Sequence, residues 1–141
     1  MDVIKITADE IDVGHILSQT TNASSGGTAC FIGTTRDTFE GKKVVHLEYE
    51  TYYSMAMKEL LGVCQAMKKK WLLTNVVFVH RIGTVPVTEV SVLVAASSVH
   101  RKEALEAVSY GIDAIKADVP IWKKEQYEDG SYNWKENCLC K

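Results

Sequence analysis

The 141-residue chain has 16 basic residues, of which only Arg36, Arg81 and Arg101 are arginines. Two of the three directly follow a histidine, as His80-Arg81 and His100-Arg101. A guanidinium is a planar fork of donors that suits carboxylate or phosphate, so sparse arginines placed this way point to a local anion site. Three lysines add to it: Lys116, and Lys123 and Lys124 just after Pro120-Ile-Trp122. A lysine that is desolvated or flanked by cations loses its proton near neutral pH and can act as nucleophile or proton donor. Other nucleophiles lack their settings. No serine stands in Gly-x-Ser-x-Gly, there is no Walker loop, and the cysteines have no His base.

Several further residues have two readings. Cys30, Cys64, Cys138 and Cys140 form no C-x-x-C pair and have no His at zinc-ligand spacing, so no metal is expected. Cys30 and Cys64 read as packing residues, and reduced thiols fit a cytosolic location. Glu48 and Glu50 share one face of a strand; a solvated or lysine-paired face is favoured over an acid–base pair. His80, at a strand end, is as readily a hydrogen-bonded structural residue as a site residue. His15 and His46 have no partner cue. Trp122 reads as a core or interface anchor.

These groups must be positioned by a chain that is 46% apolar with a net charge of −2. Length and composition suit one domain over residues 1–141 with one core. The acidic balance disfavours nucleic acid, and no apolar run approaches the ~18–20 residues of a membrane span. The start, Met1-Asp-Val-Ile-Lys-Ile, has neither the basic nor the apolar region of a signal peptide. The expectation is a cytosolic protein.

Periodicity predicts the elements. Residues 3–6 alternate as a strand, and Thr7-x-x-Glu10 is a capping box opening a helix to about Gln19. Residues 28–35 and 43–51 read as strands paired in a hairpin through a turn at Phe39-Glu-Gly41-Lys. From Tyr52 to about Lys70 the period becomes helical, with Ala56, Leu60, Val63, Cys64, Met67 and Trp71 on one face. Residues 75–83 and 89–98 are strands separated by a turn at Val85-Pro86-Val87. Ser98 is positioned to cap a helix ending near Asp118, before Pro120. Residues 121–127 and 132–134 flank Asp129-Gly130 as a terminal hairpin. The order βαββαββαββ implies an α+β fold with a mixed or largely antiparallel sheet. A doubly wound fold is disfavoured, because no Gly-x-Gly-x-x-Gly joins a strand to a helix. Arg36 and His80-Arg81 end strands, while His100-Arg101 opens a helix. Convergence of those ends at one sheet edge would make the anion pocket.

Together the strings Phe31-x-Gly33-x-x-Arg36, Leu47-x-Tyr49-Glu50-x-Tyr52-x-x-Met55-Ala56, His80-Arg81-x-Gly83, His100-Arg101 and Lys116-x-x-x-Pro120-Ile-Trp122-Lys123-Lys124-Glu125 resemble the large, catalytic subunit of molybdopterin synthase. The resemblance runs from about residue 3 to residue 136. It implies an α/β hammerhead-like fold with an additional antiparallel β-sheet. It also implies transfer of sulfur to cyclic pyranopterin monophosphate, building the molybdopterin dithiolene. The sulfur comes from the C-terminal Gly-Gly thiocarboxylate of a small ubiquitin-like partner. A homodimer within a heterotetramer is implied, with no cofactor. Arg36, His100 and Arg101 would clamp phosphate, Lys116 and Lys123 would be catalytic, and Lys124 and Glu125 would contact substrate. Bacterial relatives carry an arginine after the position of Trp134 that reaches the neighbouring subunit's site; here the chain reads Lys135-Glu-Asn-Cys138. The alternative is a non-catalytic phosphate- or nucleotide-binding module built on the same basic residues.

Overall fold

The computed structural model describes residues 2–136. Cys138 and Cys140, whose role the sequence leaves open, lie outside the described residues. The elements are β1 (Val3–Thr7), α1 (Val13–Thr20), β2 (Gly27–Thr34), β3 (Thr38–Phe39), β4 (Lys42–Thr51), α2 (Tyr53–Lys70), β5 (Asn75–Arg81), β6 (Gly83–Pro86), β7 (Val90–Ser98), α3 (Arg101–Asp118), β8 (Ile121–Tyr127) and β9 (Tyr132–Glu136). One sheet has the order β1-β5-β7-β2, and only the β1–β5 pair in it is parallel. The second sheet is antiparallel, in the order β3-β4-β8-β9, with β6 also paired to β4. This is an α+β fold with an additional antiparallel sheet.

The first sheet is covered on both faces. Val76, Phe78, Val94 and Ala96 pack toward Ala56, Leu60, Met67, Ala104, Val108 and Ile115 of α2 and α3. Val77, Val79, Leu93 and Ala95 pack toward Ile11, Val13, Ile16 and Leu17 of the α1 region. Because β5 is buried on both faces, Val76-Val-Phe-Val79 reads as a continuous apolar run without alternation.

Four local expectations are corrected. The first helix starts at Val13, capped by Asp12, whose Oδ1 accepts from the His15 amide at 3.1 Å. Thr7 remains in β1, and its hydroxyl oxygen accepts from the Asp9 amide in a turn. The strand at 27–34 is not the hairpin partner of β4. It pairs with β7 instead, and the hairpin is the short β3–β4 pair, turning through Glu40 (φ 49°) and Gly41 (φ 79°). Ser98 does not cap α3. The cap position is His100, with no side-chain cap bond, and the Ser98 hydroxyl donates to the His100 carbonyl. Residues 83–86, assigned partly to a turn, form β6.

The start of β2 is clamped against the start of α3. A Cβ added to Gly26 would lie 2.1 Å from the Val99 carbonyl oxygen, a backbone atom that cannot swing away. The Gly26 amide also donates to the Ser98 carbonyl at 2.8 Å. Gly26→Ala is expected to cost about 1–3 kcal/mol, the range for overpacking a tight contact. A urea midpoint that falls with an unchanged slope would show it.

Candidate active site

A cavity of about 340 Å³ opens where the two sheets meet the C-terminal end of α3. β2 and the residues after it contribute Phe31, Gly33, Thr34 and Arg36; α3 contributes Ile112, Ile115 and Lys116. β4 contributes Leu47 and Tyr49, β8 Lys123 and Glu125, and β5 His80. Arg36, Lys116, Lys123 and Glu125, named from the sequence, are thus brought together. Among the described residues neither Arg36 nor Lys116 is ion-paired with a carboxylate, so the cavity carries cationic donors that are not neutralised. Lys116 sits in the last turn of α3, where the helix dipole favours a cation.

Glu125 is buried, and its charge is met locally. Its Oε1 accepts from Lys135 Nζ at 2.8 Å and from the Tyr127 hydroxyl at 3.1 Å. Lys135 also lies 3.1 Å from the centroid of the Phe39 ring. The residue after Trp134 is therefore tied within its own chain to a carboxylate of the cavity. Closing the β8–β9 hairpin places it there, with Gly130 at φ 88° and Lys135 paired in register with Lys123.

Other sequence-assigned residues lie elsewhere. Lys124 follows Lys123 on a strand, so it emerges on the opposite face. There its Nζ is 2.8 Å from Glu48 Oε2 and lies over the rings of Tyr132 and Trp134, at 4.9 and 5.5 Å. Lys124 holds the Glu48 carboxyl below the ordinary carboxylate range, and Glu48 in turn raises Lys124. Glu48 is thus an ion-pair member, as expected for that strand face.

His100 and Arg101 are at the far end of the molecule from the cavity. Arg101 and Lys116 are fifteen residues apart on α3, ~22 Å at 1.5 Å per residue. The reason lies in sheet direction: β7 runs antiparallel to β2 and β5, with Ser98 opposite Gly27 and Val90 opposite Thr34. The end of β7 and the start of α3 therefore lie at the edge opposite Arg36, and the expected single pocket divides in two.

The His80-Arg81 pair divides as well, across the two faces of β5. Arg81 is buried with its Nη1 2.8 Å from Glu89 Oε1, and it forms no part of the cavity. His80 is 5% exposed and lines the cavity. Its Nδ1 is 2.8 Å from the Arg81 carbonyl oxygen, and its ring meets Tyr49 edge-on at 5.0 Å between centroids. Burial pushes its pKa down to about 4, against the opposing pull of the Arg81 carbonyl. Sequence reasoning left His80 open and gave Thr34, Thr38 and Ser91 no role. The usable signal was strand parity, since His80 shares the face of Val76 and Phe78. Among the described residues no group of three His, Cys, Asp or Glu is arranged to hold a metal. No helix there is long and apolar enough to cross a membrane.

Phe31-x-Gly33-x-x-Arg36 and Lys116-x-x-x-Pro120-Ile-Trp122-Lys123 frame a basic cavity between two sheets, and comparison with known proteins places the chain that carries them in a family. Residues 6–118 match the family model described as MoaE protein, and the chain belongs to that family. Its relatives carry a particular name. A molybdopterin synthase catalytic subunit from Bos taurus is 50% identical over 139 residues, covering 99% of this chain and 74% of the relative. One from Taeniopygia guttata is 50% identical over 140 residues, covering 99% of this chain and 90% of the relative. Among solved structures, molybdopterin synthase from Staphylococcus aureus superposes with a TM-score of 0.87 at 39% identity, covering 92% of this chain and 94% of that one.

Proposed function

We propose that this chain is the catalytic subunit of a molybdopterin synthase and acts as a sulfurtransferase. Sulfur passes from the C-terminal thiocarboxylate of a small ubiquitin-like partner ending in Gly-Gly to cyclic pyranopterin monophosphate. Each C–S bond forms at a side-chain carbon of the pterin as a C–O bond at that carbon breaks and its oxygen departs, and water then cleaves the thiocarboxylate C–S bond, leaving the partner's carboxylate. The carrying observation is the meeting of Arg36, Lys116 and Lys123 in one cavity lined in part by apolar side chains. Both proposed reactants are anions, and cationic donors in a partly water-excluded site attract them more strongly than the same groups in open water. Lys116 is assigned the proton transfers, Lys123 supports it, and Arg36 holds phosphate.

Glu125 keeps its place as a contributor to the cavity wall. Lys124 acts through the sheet's outer face, where it is paired, and not as a direct substrate contact. His100 and Arg101 can reach the same ligand only from a second copy of the chain, so the homodimer within a heterotetramer is part of this proposal. The dimer is expected to persist without the small subunit, and light scattering at micromolar concentration that returned a single-chain mass would remove it. Arg101→Ala is expected to weaken binding of the phosphate-bearing pterin by about 1.5–3 kcal/mol, the scale of a charge-assisted hydrogen bond. The exposed side chain predicts little change in melting temperature. Unchanged affinity would leave Arg101 outside the site.

The deciding experiment is turnover with a thiocarboxylated partner. Formation of the dithiolene product supports the reading. Binding of the pterin phosphate with no product would leave a non-catalytic binding module. The half-buried Cys30 and buried Cys64, both free thiols, suit a reducing compartment such as the cytosol.

A further inference from the structure

The charged side chains of the cavity are mostly donors, while the hydroxyls of Thr34, Thr38 and Ser91 in its wall can donate or accept. Arg36, Lys116 and Lys123 carry only N–H groups. Glu125 is an acceptor, but its Oε1 already serves Lys135 and Tyr127. His80 lines the same cavity. Its partner at Nδ1 is a backbone carbonyl, which can only accept, so Nδ1 carries the ring proton. Nε2 is therefore the nitrogen with the lone pair. Among the described residues no side chain or backbone group donates to it.

We propose, on the reading of the cavity given above, that His80 is a substrate-contacting residue whose Nε2 accepts a hydrogen bond from an N–H or O–H of the bound heterocycle. The ligand class is a ring with N–H or hydroxyl donors joined to an anionic group. The basic residues take the anion, and His80 takes the ring, which fixes the orientation in which the ring lies. Tyr49, edge-on at 5.0 Å, and the Arg81 carbonyl hold the imidazole so that little rotamer freedom is lost on binding. Protonation of Nε2 would abolish the acceptor. It is opposed by burial and favoured by the bond to the Arg81 carbonyl; the charged groups that line the same cavity are Arg36, Lys116, Lys123 and Glu125.

Two variants separate this role from a structural one. His80→Asn retains an amide able to donate where Nδ1 does and loses the acceptor at Nε2. His80→Gln reaches the Nε2 position with an amide oxygen and loses the bond to the Arg81 carbonyl. Affinity for cyclic pyranopterin monophosphate is expected to fall about tenfold in His80→Asn, the loss of one buried hydrogen bond, and by clearly less in His80→Gln. The reverse ranking would overturn the proposal.

A readout that needs no variant is the ¹⁵N resonance of His80 Nε2 in the native protein labelled at histidine. It is expected to move upfield as the pterin phosphate saturates the site, and to stay in place with inorganic phosphate, which at most fills the cationic end. A resonance unmoved at saturation removes His80 from the contact. Failure of the pterin phosphate to bind the native protein at all would instead overturn the proposed function, and this inference with it.

Discussion

Lys116→Ala is expected to lower turnover by about 10²–10⁴-fold, the usual worth of a positioned general acid or base. The small partner should still bind, because most of such an interface lies outside the cavity that receives its tail. The side chain is exposed at the end of α3, so truncation leaves no void in the core and the variant should fold. Lys116→Arg is the more discriminating change. It keeps the cation but replaces an amine that can shed its proton with a guanidinium that cannot. Proton transfer or covalent chemistry by the lysine predicts an Arg variant nearly as slow as Ala. A role confined to holding anions predicts substantial activity. Single-turnover measurement with the thiocarboxylated partner pre-bound distinguishes the two, and an Arg variant near the native rate would make Lys116 a clamp.

The second large effect is a loss of stability between pH 6.5 and about 4. In the folded protein His80 titrates at about 4, whereas an ordinary histidine titrates at 6.5. Between those values the unfolded chain takes up a proton that the folded chain refuses, so lowering the pH draws the equilibrium toward unfolding. The effect is absent above 6.5 and complete below about 4. At 1.36 kcal/mol per pH unit it amounts to about 3 kcal/mol. Glu48 and Asp129 also titrate below their ordinary values, but they give up their stabilisation from about 4.5 and 3.8 downward, toward the acid end of the window. Urea midpoints at pH 7, 6 and 5 therefore isolate the histidine. The His80→Gln variant should show a much flatter dependence over the same steps, and parallel lines for the two proteins would refute the assignment.

Periodicity located the long elements well. Helix faces at 56, 60, 63, 64 and 67 are the buried ones, because a 3.6-residue stripe has few alternative explanations. Pairing was less legible. Residues 27–34 have the composition of a strand, but nothing local says whether the partner is the next strand or one sixty residues later. The site shows the same division. Lys116, Lys123 and Glu125 were readable because they fall within one short motif spanning the end of α3 and the start of β8. His100 and Arg101 could not be placed, since their distance from Arg36 depends on strand direction, which is a property of the whole sheet. His80 was ambiguous because the same burial serves a structural histidine and a neutral ligand contact.

The alternation along β8 makes the chemistry there a matter of parity. Lys123 and Glu125 face the cavity, while Lys124 between them belongs to the outer surface. Deleting one residue from the segment leading into Lys123, with the strand's pairing held, would invert that parity while leaving the charge count untouched. Lys124 would enter the cavity alone, and the aromatic surface of Tyr132 and Trp134 would face two charges of opposite sign in place of one cation. A stretch carrying Lys-Lys-Glu is thus tolerant of neighbouring substitutions and intolerant of length changes. The information it holds is which residues are odd and which are even.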